Sequence, residues 1–375
     1  MHPTPLTPRR RDAPLSLLLT GVERIVDAVS EPPPHLHDPR RIVVLRSCCL
    51  GDTVLATPLL GALRRQHPHA RIVVGVGAWS RTVVAHSPAV DGLFDLEGVG
   101  TGRPRAAAYA RVVRRLRAGR FDAALVLDRT PLMTVLPLLA GIPVRAGIDS
   151  AGRGFALNVR VPWTHVEHEA DLFLRVGAAL GVDTDGARLH VGLAAADQAR
   201  ADALWTALGL DDARVLALAP GGGRNPGMTL TAKHWAPERY AALATRLYRE
   251  RGLTPLLTGD MHDHDATDHV ARLLYRAGTP VADAAGFTTI GDLAALYGRC
   301  ALFVGADSGP THLAAAMGIP VVAVFGPTDP AVYAPYSPRA IALRGPDGLS
   351  TSEVSVDRAA DAALSLLDAA SEHPI

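Results

Sequence analysis

Asp307, Ser308 and His312 stand together in the run D-S-G-P-T-H, after a short apolar stretch ending at Val304 and before an alanine-rich segment that stops at Gly318. The pattern reads as strand, tight turn and helix, and a second apolar run ending at Phe325 adds another strand. Ser308 suits the helix N-cap, Pro310 its first turn, and Gly318 the left-handed residue that ends it. A helix starting here presents unpaired backbone N–H groups between Ser308, Gly309 and Thr311 at the carboxyl end of a strand. Those donors and the helix dipole both favour a phosphate or diphosphate. Asp307 can accept from sugar hydroxyls, and His312 can donate toward a phosphate. The same turn also reads as a capped crossover helix that binds nothing, so other residues must decide.

Two further blocks carry such residues. In R-I-V-V-L-R-S-C-C-L-G-D-T-V-L-A-T-P-L-L, Ile42 to Leu45 form a buried strand by length and β-branching, and Leu55, Leu59 and Leu63 repeat at helical spacing. Gly51 and Asp52 therefore lie where the first strand hands over to the first helix. A carboxylate there is either a dipole-stabilised helix start or a general base at the carboxyl ends of the strands, where open α/β sheets bind ligands. The other block, A-P-G-G-G-R-N-P-G-M-T-L-T-A-K-H-W-A-P-E-R-Y, holds the only lysine among 38 Lys and Arg residues. An ammonium is a compact point charge and a guanidinium a planar fork, so a site shaped around one need not accept the other. Gly221, Gly222 and Gly223 permit close backbone approach beside Lys233.

Together these blocks resemble the signature of glycosyltransferase family 9, the ADP-heptose heptosyltransferases of lipopolysaccharide inner-core synthesis and their relatives. The matching elements are D-S-G-x-x-H-L with an apolar strand closed by F-G-P-T-D-P, the G-D pair, and K-x-W-x-x-E-x-[FWY], within residues 41 to 345. Cys48 and Cys49 depart from the small hydroxyl residues usual before the G-D pair. The resemblance implies a GT-B fold, with two doubly wound Rossmann-like domains facing a central cleft. It implies an inverting, metal-independent transfer of heptose or a related sugar from a nucleotide-diphosphate sugar such as ADP-heptose to a hydroxyl acceptor. Asp52 is then the base, with Gly51 and Arg46 on the acceptor side. Lys233, Gly221, Gly222, Asp307, Ser308, Gly309, Pro310, Thr311 and His312 would hold the donor diphosphate, and Asp263 the nucleoside. No cofactor and no metal are expected, and the acceptor is a glycan, a lipid-linked species or a small molecule. A nucleotide-sugar 2-epimerase of the same fold, or a catalytically silent sugar-nucleotide-binding protein, are the alternatives. Transfer to an acceptor separates the first, and the joint presence of Asp52 and Lys233 argues against the second.

Length and composition frame these residues. A chain of 375 residues, 48% hydrophobic, is long enough for two cores, and a formal net charge of +1 argues against nucleic acid as partner. Three cysteines, two adjacent, make no secreted disulfide framework, and Cys300 reads as a small core residue. With no evident signal peptide, a cytoplasmic location is expected, with possible contact at the inner face of the membrane. Residues 1–40 read as a variable lead-in, rich in proline; its arginines at 9 to 11 allow a basic amphipathic helix touching a membrane. Residues 41–190 read as the acceptor-side domain, 191–350 as the donor-binding domain, and 351–375 as a helix returning to the first domain. The stretch 182–213, mixing Asp, Gly and Ala, marks the junction. Among weaker clusters, Asp183-Thr184-Asp185 reads as a solvated turn, residues 262–265 as a helix start, and Glu167, His168, Glu169 and Asp171 as a capped surface helix, with an acceptor-side role as the alternative.

Overall fold

The computed structural model describes residue 36 and residues 38–372 apart from 102–105, 165, 226 and 227, so the lead-in and its basic stretch lie outside the described residues. The chain divides into two compact units, Met1–Arg188 and Leu189–Ile375.

The first unit runs β1 (Arg41–Arg46), α1 (Leu50–Leu55), α2 (Thr57–Gln66), β2 (Arg71–Val76), α3 (Arg81–Ala85), β3 (Gly92–Asp95), α4 (Ala106–Gly119), β4 (Ala123–Val126), α5 (Pro131–Leu139), β5 (Val144–Asp149), β6 (Val159–Pro162) and α6 (Glu169–Ala178). Its six strands are parallel in the order β3-β2-β1-β4-β5-β6. Ile42 to Leu45 and Ala123 to Val126 are wholly buried, as strands covered on both faces must be. The helical repeat of Leu55, Leu59 and Leu63 is broken at Ala56 into α1 and α2. Pro58 has no N–H with which to continue the ladder, and the Thr57 hydroxyl takes the Val54 carbonyl at 2.7 Å. Helix α5 gave no helical signal in the sequence, because P-L-M-T-V-L-P-L-L has no polar face to set a period.

The second unit runs α7 (Ala195–Ala207), β7 (Arg214–Ala219), β8 (Arg224–Asn225), β9 (Met228–Thr229), α8 (Pro237–Arg251), β10 (Leu253–Leu257), α9 (His264–Arg276), β11 (Ala282–Asp283), α10 (Ile290–Gly298), β12 (Leu302–Ala306), α11 (Gly309–Ala316), β13 (Val321–Phe325), α12 (Pro330–Tyr333), β14 (Ala340–Arg344) and α13 (Val356–Glu372). Six of its strands form a parallel sheet in the order β11-β10-β7-β12-β13-β14, and β8 and β9 form a separate antiparallel pair. Each large sheet thus reverses its strand order once, beside its first strand, in the Rossmann pattern. The supposed junction 182–213 contains α7, an alanine-rich helix that buries only a narrow face through Ala201 and Trp205 and packs on α10.

The C-terminal helix corrects an expectation. It belongs to the second unit, where α13 packs on α8, β13 and β14 and its Ala359, Ala360, Ala363 and Leu367 join the core of that unit. Trp235 secures the approach to it: fully buried, it stacks edge-on against Tyr240 with centroids 5.0 Å apart, and its Nε1 donates to the Val354 carbonyl at 3.0 Å. Trp235→Ala removes a large buried side chain and that bond, and is expected to cost about 3–5 kcal/mol. Urea unfolding followed by circular dichroism checks it; a loss below about 1 kcal/mol would mean the unit does not depend on this ring.

Candidate functional site

Each unit gathers polar side chains at one place, the carboxyl ends of the two strands between which the order reverses. In the second unit these are β7 and β12. The loop after β12 begins with Asp307, which is 5% exposed, and its Oδ2 receives Lys233 Nζ at 2.6 Å and the Thr328 hydroxyl at 2.6 Å. His312 Nε2 lies 3.8 Å from Asp307 Oδ1. Burial by itself would raise the Asp307 carboxyl, but the His312 imidazole and the Lys233 ammonium outweigh it and hold the group down at about 2. Lys233 is 13% exposed and spends one of its three donors on Asp307, so the ammonium is fixed in place with donors to spare. His312 Nδ1 is buried and has no partner among the described residues.

Ser308 occupies the N-cap of α11, but its hydroxyl makes no cap bond and lies 3.4 Å from the Thr311 hydroxyl, which itself donates back to the Ala306 carbonyl. Thr311 N–H turns inward to the Ser308 carbonyl at 3.2 Å, and Pro310 has no N–H. The anion-facing amides are therefore fewer than the sequence suggested, with Gly309 the first-turn N–H without an intrahelical acceptor. The glycine loop after β7 lies against this turn. Gly222 and Gly223 have φ of 100° and 72°, and a Cβ on Gly222 would come within 3.0 Å of the Ser308 Cβ.

Asp263 is engaged with the protein's own backbone. Its Oδ1 accepts from Gly222 N–H and its Oδ2 from Asp260 N–H, both at 3.0 Å, and a Cβ on Gly221 would lie 2.2 Å from its Cγ. Its carboxylate thus shapes the glycine loop, and His234 Nε2 meets the Gly222 carbonyl at 2.8 Å from the other side.

In the first unit the reversal lies between β1 and β4. Arg46, the last residue of β1, is 8% exposed and sends Nη2 to within 2.6 Å of Asp52 Oδ2 in α1. Its Nη1 donates to the Leu127 carbonyl at 2.9 Å and lies 3.3 Å from Asp128 Oδ1. Asp128 also accepts Ser47 N–H and Ser47 Oγ–H, each at 2.8 Å. Glu169, 1% exposed at the start of α6, pairs with Arg129, whose guanidinium stacks 4.2 Å from the Trp163 ring centroid. Burial pushes the Asp128 carboxyl up against the pull of Arg46 and Ser47, and pushes Glu169 up against Arg129 and Arg46. Burial opposes the charge on Arg46 as well, but Asp52, Asp128 and Glu169 more than offset it and its pKa rises. Asp52 is the outermost of these groups, its side chain 24% exposed.

Sequence reasoning named Asp52, Arg46 and Gly51 here but missed Asp128, Ser47 and Arg129, and put Glu169 on a surface helix with an acceptor-side role as the alternative, whereas the residue is buried. Asp128 closes the run L-V-L-D two residues past the end of β4, a position that could have been flagged; the burial of Glu169 has no local signal. Thr328 stood inside the F-G-P-T-D-P run without an assigned role. His168 does cap α6, accepting from Ala170 N–H at 3.1 Å, and Asp183 forms the expected turn by accepting from Asp185 N–H at 3.0 Å. Cys48 and Cys49 are joined to each other as a vicinal disulfide just before α1. Among the described residues no group of three or more His, Cys, Asp or Glu side chains is placed to share a metal ion.

The family model described as glycosyltransferase family 9 (heptosyltransferase) matches residues 109–361. The chain belongs to glycosyltransferase family 9. It is 28% identical over 322 residues to lipopolysaccharide heptosyltransferase 2 of Escherichia coli K12, covering 81% of this chain and 88% of that one. Lipopolysaccharide heptosyltransferase 3 of Escherichia coli is 25% identical over 295 residues, covering 76% and 84%. A glycosyl transferase family 9 structure from Veillonella parvula superposes with a TM-score of 0.76 at 27% identity, over 88% of this chain and 98% of that one. The structure of Escherichia coli ADP-heptose lipopolysaccharide heptosyltransferase II gives 0.72 at 24% identity, over 88% and 99%. The two Rossmann-like sheets are those of the GT-B fold shared by these family 9 structures. The matching family is one of transferases, which sets aside the epimerase alternative.

Because Arg46 is the cation paired with the buried Asp128 and adds to Arg129 in offsetting Glu169, Arg46→Met leaves Asp128 without its cation and is expected to cost about 3–5 kcal/mol at neutral pH. A carboxyl whose folded pKa lies above its unfolded value stabilises the native state at low pH and loses that contribution as pH rises. The deficit should therefore shrink on acidification toward about pH 4, and urea unfolding of both proteins across that range tests the sign.

Proposed function

We propose that this chain is a metal-independent, inverting heptosyltransferase that uses ADP-heptose and a lipopolysaccharide-type acceptor. The observation that carries the proposal is the Lys233 ammonium, held 2.6 Å from the buried Asp307 beside the start of α11 and the Gly221–Gly223 loop. A fixed cation, a helix N-terminus and a glycine loop together make a surface for a diphosphate without need of a metal. Family membership and the names of the relatives, lipopolysaccharide heptosyltransferases, support heptose as the sugar and lipopolysaccharide as the acceptor class. An enzyme with such a donor would work in the cytoplasm, at the inner face of the membrane.

In this reading Asp52 takes the proton of the acceptor hydroxyl, whose oxygen attacks the anomeric carbon of the donor. The bond from that carbon to the diphosphate oxygen breaks, and ADP leaves with its growing charge met by Lys233, the Gly309 amide and His312. A single displacement inverts the anomeric configuration. Arg46 holds Asp52 Oδ2 and so aims the other oxygen.

Asp52→Asn is expected to keep ADP binding while lowering transfer by a factor of about 100 or more, the scale for loss of a positioned base. Wild-type turnover in that variant would remove Asp52 from the mechanism, and loss of activity in EDTA with recovery on added Mg²⁺ would overturn metal independence.

Calorimetric titration with ADP tests the donor side. Lys233→Ala should weaken binding and Lys233→Arg should rescue it only in part, since a fork cannot reproduce a point charge seated on Asp307. ADP should outcompete UDP and GDP by at least about tenfold, since a wrong base leaves buried groups unpaired. Unchanged affinity in both variants would make Lys233 incidental, and preference for UDP or GDP would overturn the ADP-linked donor.

A further inference from the structure

Helix α5 has the composition of a core helix but only half of it is in the core. From Pro131 to Val144 the chain carries no charged residue. Met133, Leu136 and Pro137 are buried, whereas Leu132, Leu138 and Leu139 are 56%, 38% and 52% exposed and Val135 is half-buried. At 3.6 residues per turn, Leu132, Val135 and Leu139 line up along the helix with Leu138 beside them, so the exposed groups form one stripe. Single exposed leucines are ordinary on a protein surface, but a contiguous stripe marks an interaction face.

The neighbouring helix supplies charge of one sign. Helix α4 packs on α5, Arg114 and Arg117 follow one another along its exposed side, and the exposed Arg120 comes just past its end. Arg117 Nη2 donates to the Leu139 carbonyl at 2.6 Å, which fixes its guanidinium at the end of the leucine stripe. Arg111 and Arg115 lie on the other flank, where Glu97 engages them at 2.6 and 3.3 Å. Arg114, Arg117 and Arg120 form no ion pair among the described residues.

We propose that the α4–α5 face docks on an anionic lipid surface, the leucines entering the acyl boundary and the arginines meeting headgroup phosphates. An apolar stripe beside a cationic row that forms no ion pair among the described residues is complementary to a bilayer surface in both chemistries at once. The nine residues of α5 are too few to span a bilayer, and no described helix is long and apolar enough to cross one, so the contact lies in the interface plane. Docking here is a property of the first unit and does not depend on which sugar is transferred.

The test is co-sedimentation of the full chain with vesicles of phosphatidylcholine alone or of equimolar phosphatidylcholine and phosphatidylglycerol. The wild type should bind the anionic vesicles, weakly or not at all the neutral ones, and less as salt is raised. Leu132→Ser with Leu139→Ser, and separately Arg114→Gln with Arg117→Gln, should each weaken binding at least about tenfold, given about fivefold per arginine near an anionic surface. All four positions are at the surface, so the melting temperature should hold. Arg272→Gln with Arg276→Gln, on α9 of the second unit, should bind as the wild type does. Absence of wild-type binding, or binding that both first-unit variants retain, would overturn the proposal. So would a wild-type dimer, seen by sedimentation velocity, that Leu132→Ser with Leu139→Ser dissociates while vesicles have no effect.

Discussion

One carboxylate in each unit, buried where the strand order reverses, ties together the loops on which the site depends. Asp128 follows the fourth strand of the first unit, and Asp307 follows the fourth strand of the second unit's parallel sheet. In a doubly wound sheet that position faces the gap opened between the first and fourth strands, the one place where neither neighbouring crossover covers the strand ends. Asp128 closes the gap by binding Ser47 through backbone and side chain and by meeting Arg46. Asp307 does so by receiving Lys233 from the stretch after β9 and Thr328 from the loop after β13. A carboxylate taken out of water is tolerable only with such partners, so the acid and its cation are mutually obligatory.

The two cations differ in a way that suits different tasks. Arg46 is a fork and spans two acids, Asp52 and Asp128, so it couples the candidate base to the buried floor of the site. Lys233 is a point charge; one donor is committed to Asp307 and the others remain for a ligand. In a chain that otherwise carries arginine at its Lys and Arg positions, the exception stands on the buried Asp307.

The glycines matter through their neighbours rather than through flexibility. Gly222 brings its loop against Ser308, and Gly221 makes room for the Asp263 carboxylate that fixes the loop. The first unit has a counterpart in Gly77, where a Cβ would lie 2.6 Å from the Ser47 carbonyl. Side chains in these places would push apart the loops that the buried acids draw together.

The sequence by itself determined the central strands of both sheets, since Ile42–Leu45 and the apolar runs ending at Val304 and Phe325 are stretches that burial on both faces accounts for, but it gave no sign of the edge strands β6 and β11. It also determined Asp52, Lys233 and the D-S-G-P-T-H turn as chemistry at strand ends, because strand-to-helix handovers are local events. It did not determine α5 or α7: the first is apolar on nearly every side, and the second scatters Asp, Gln and Arg among its alanines and buries only a narrow face, so neither shows a clear apolar stripe. Nor did it determine that Asp263 serves the glycine loop, that Glu169 is buried against Arg129, or that α13 stays with the second unit. Those outcomes depend on groups from 40 to more than 100 residues apart in the chain meeting in the folded state. Local pattern records which face of an element is apolar; which polar group meets which across a closed sheet is set only when the crossovers bring their ends together.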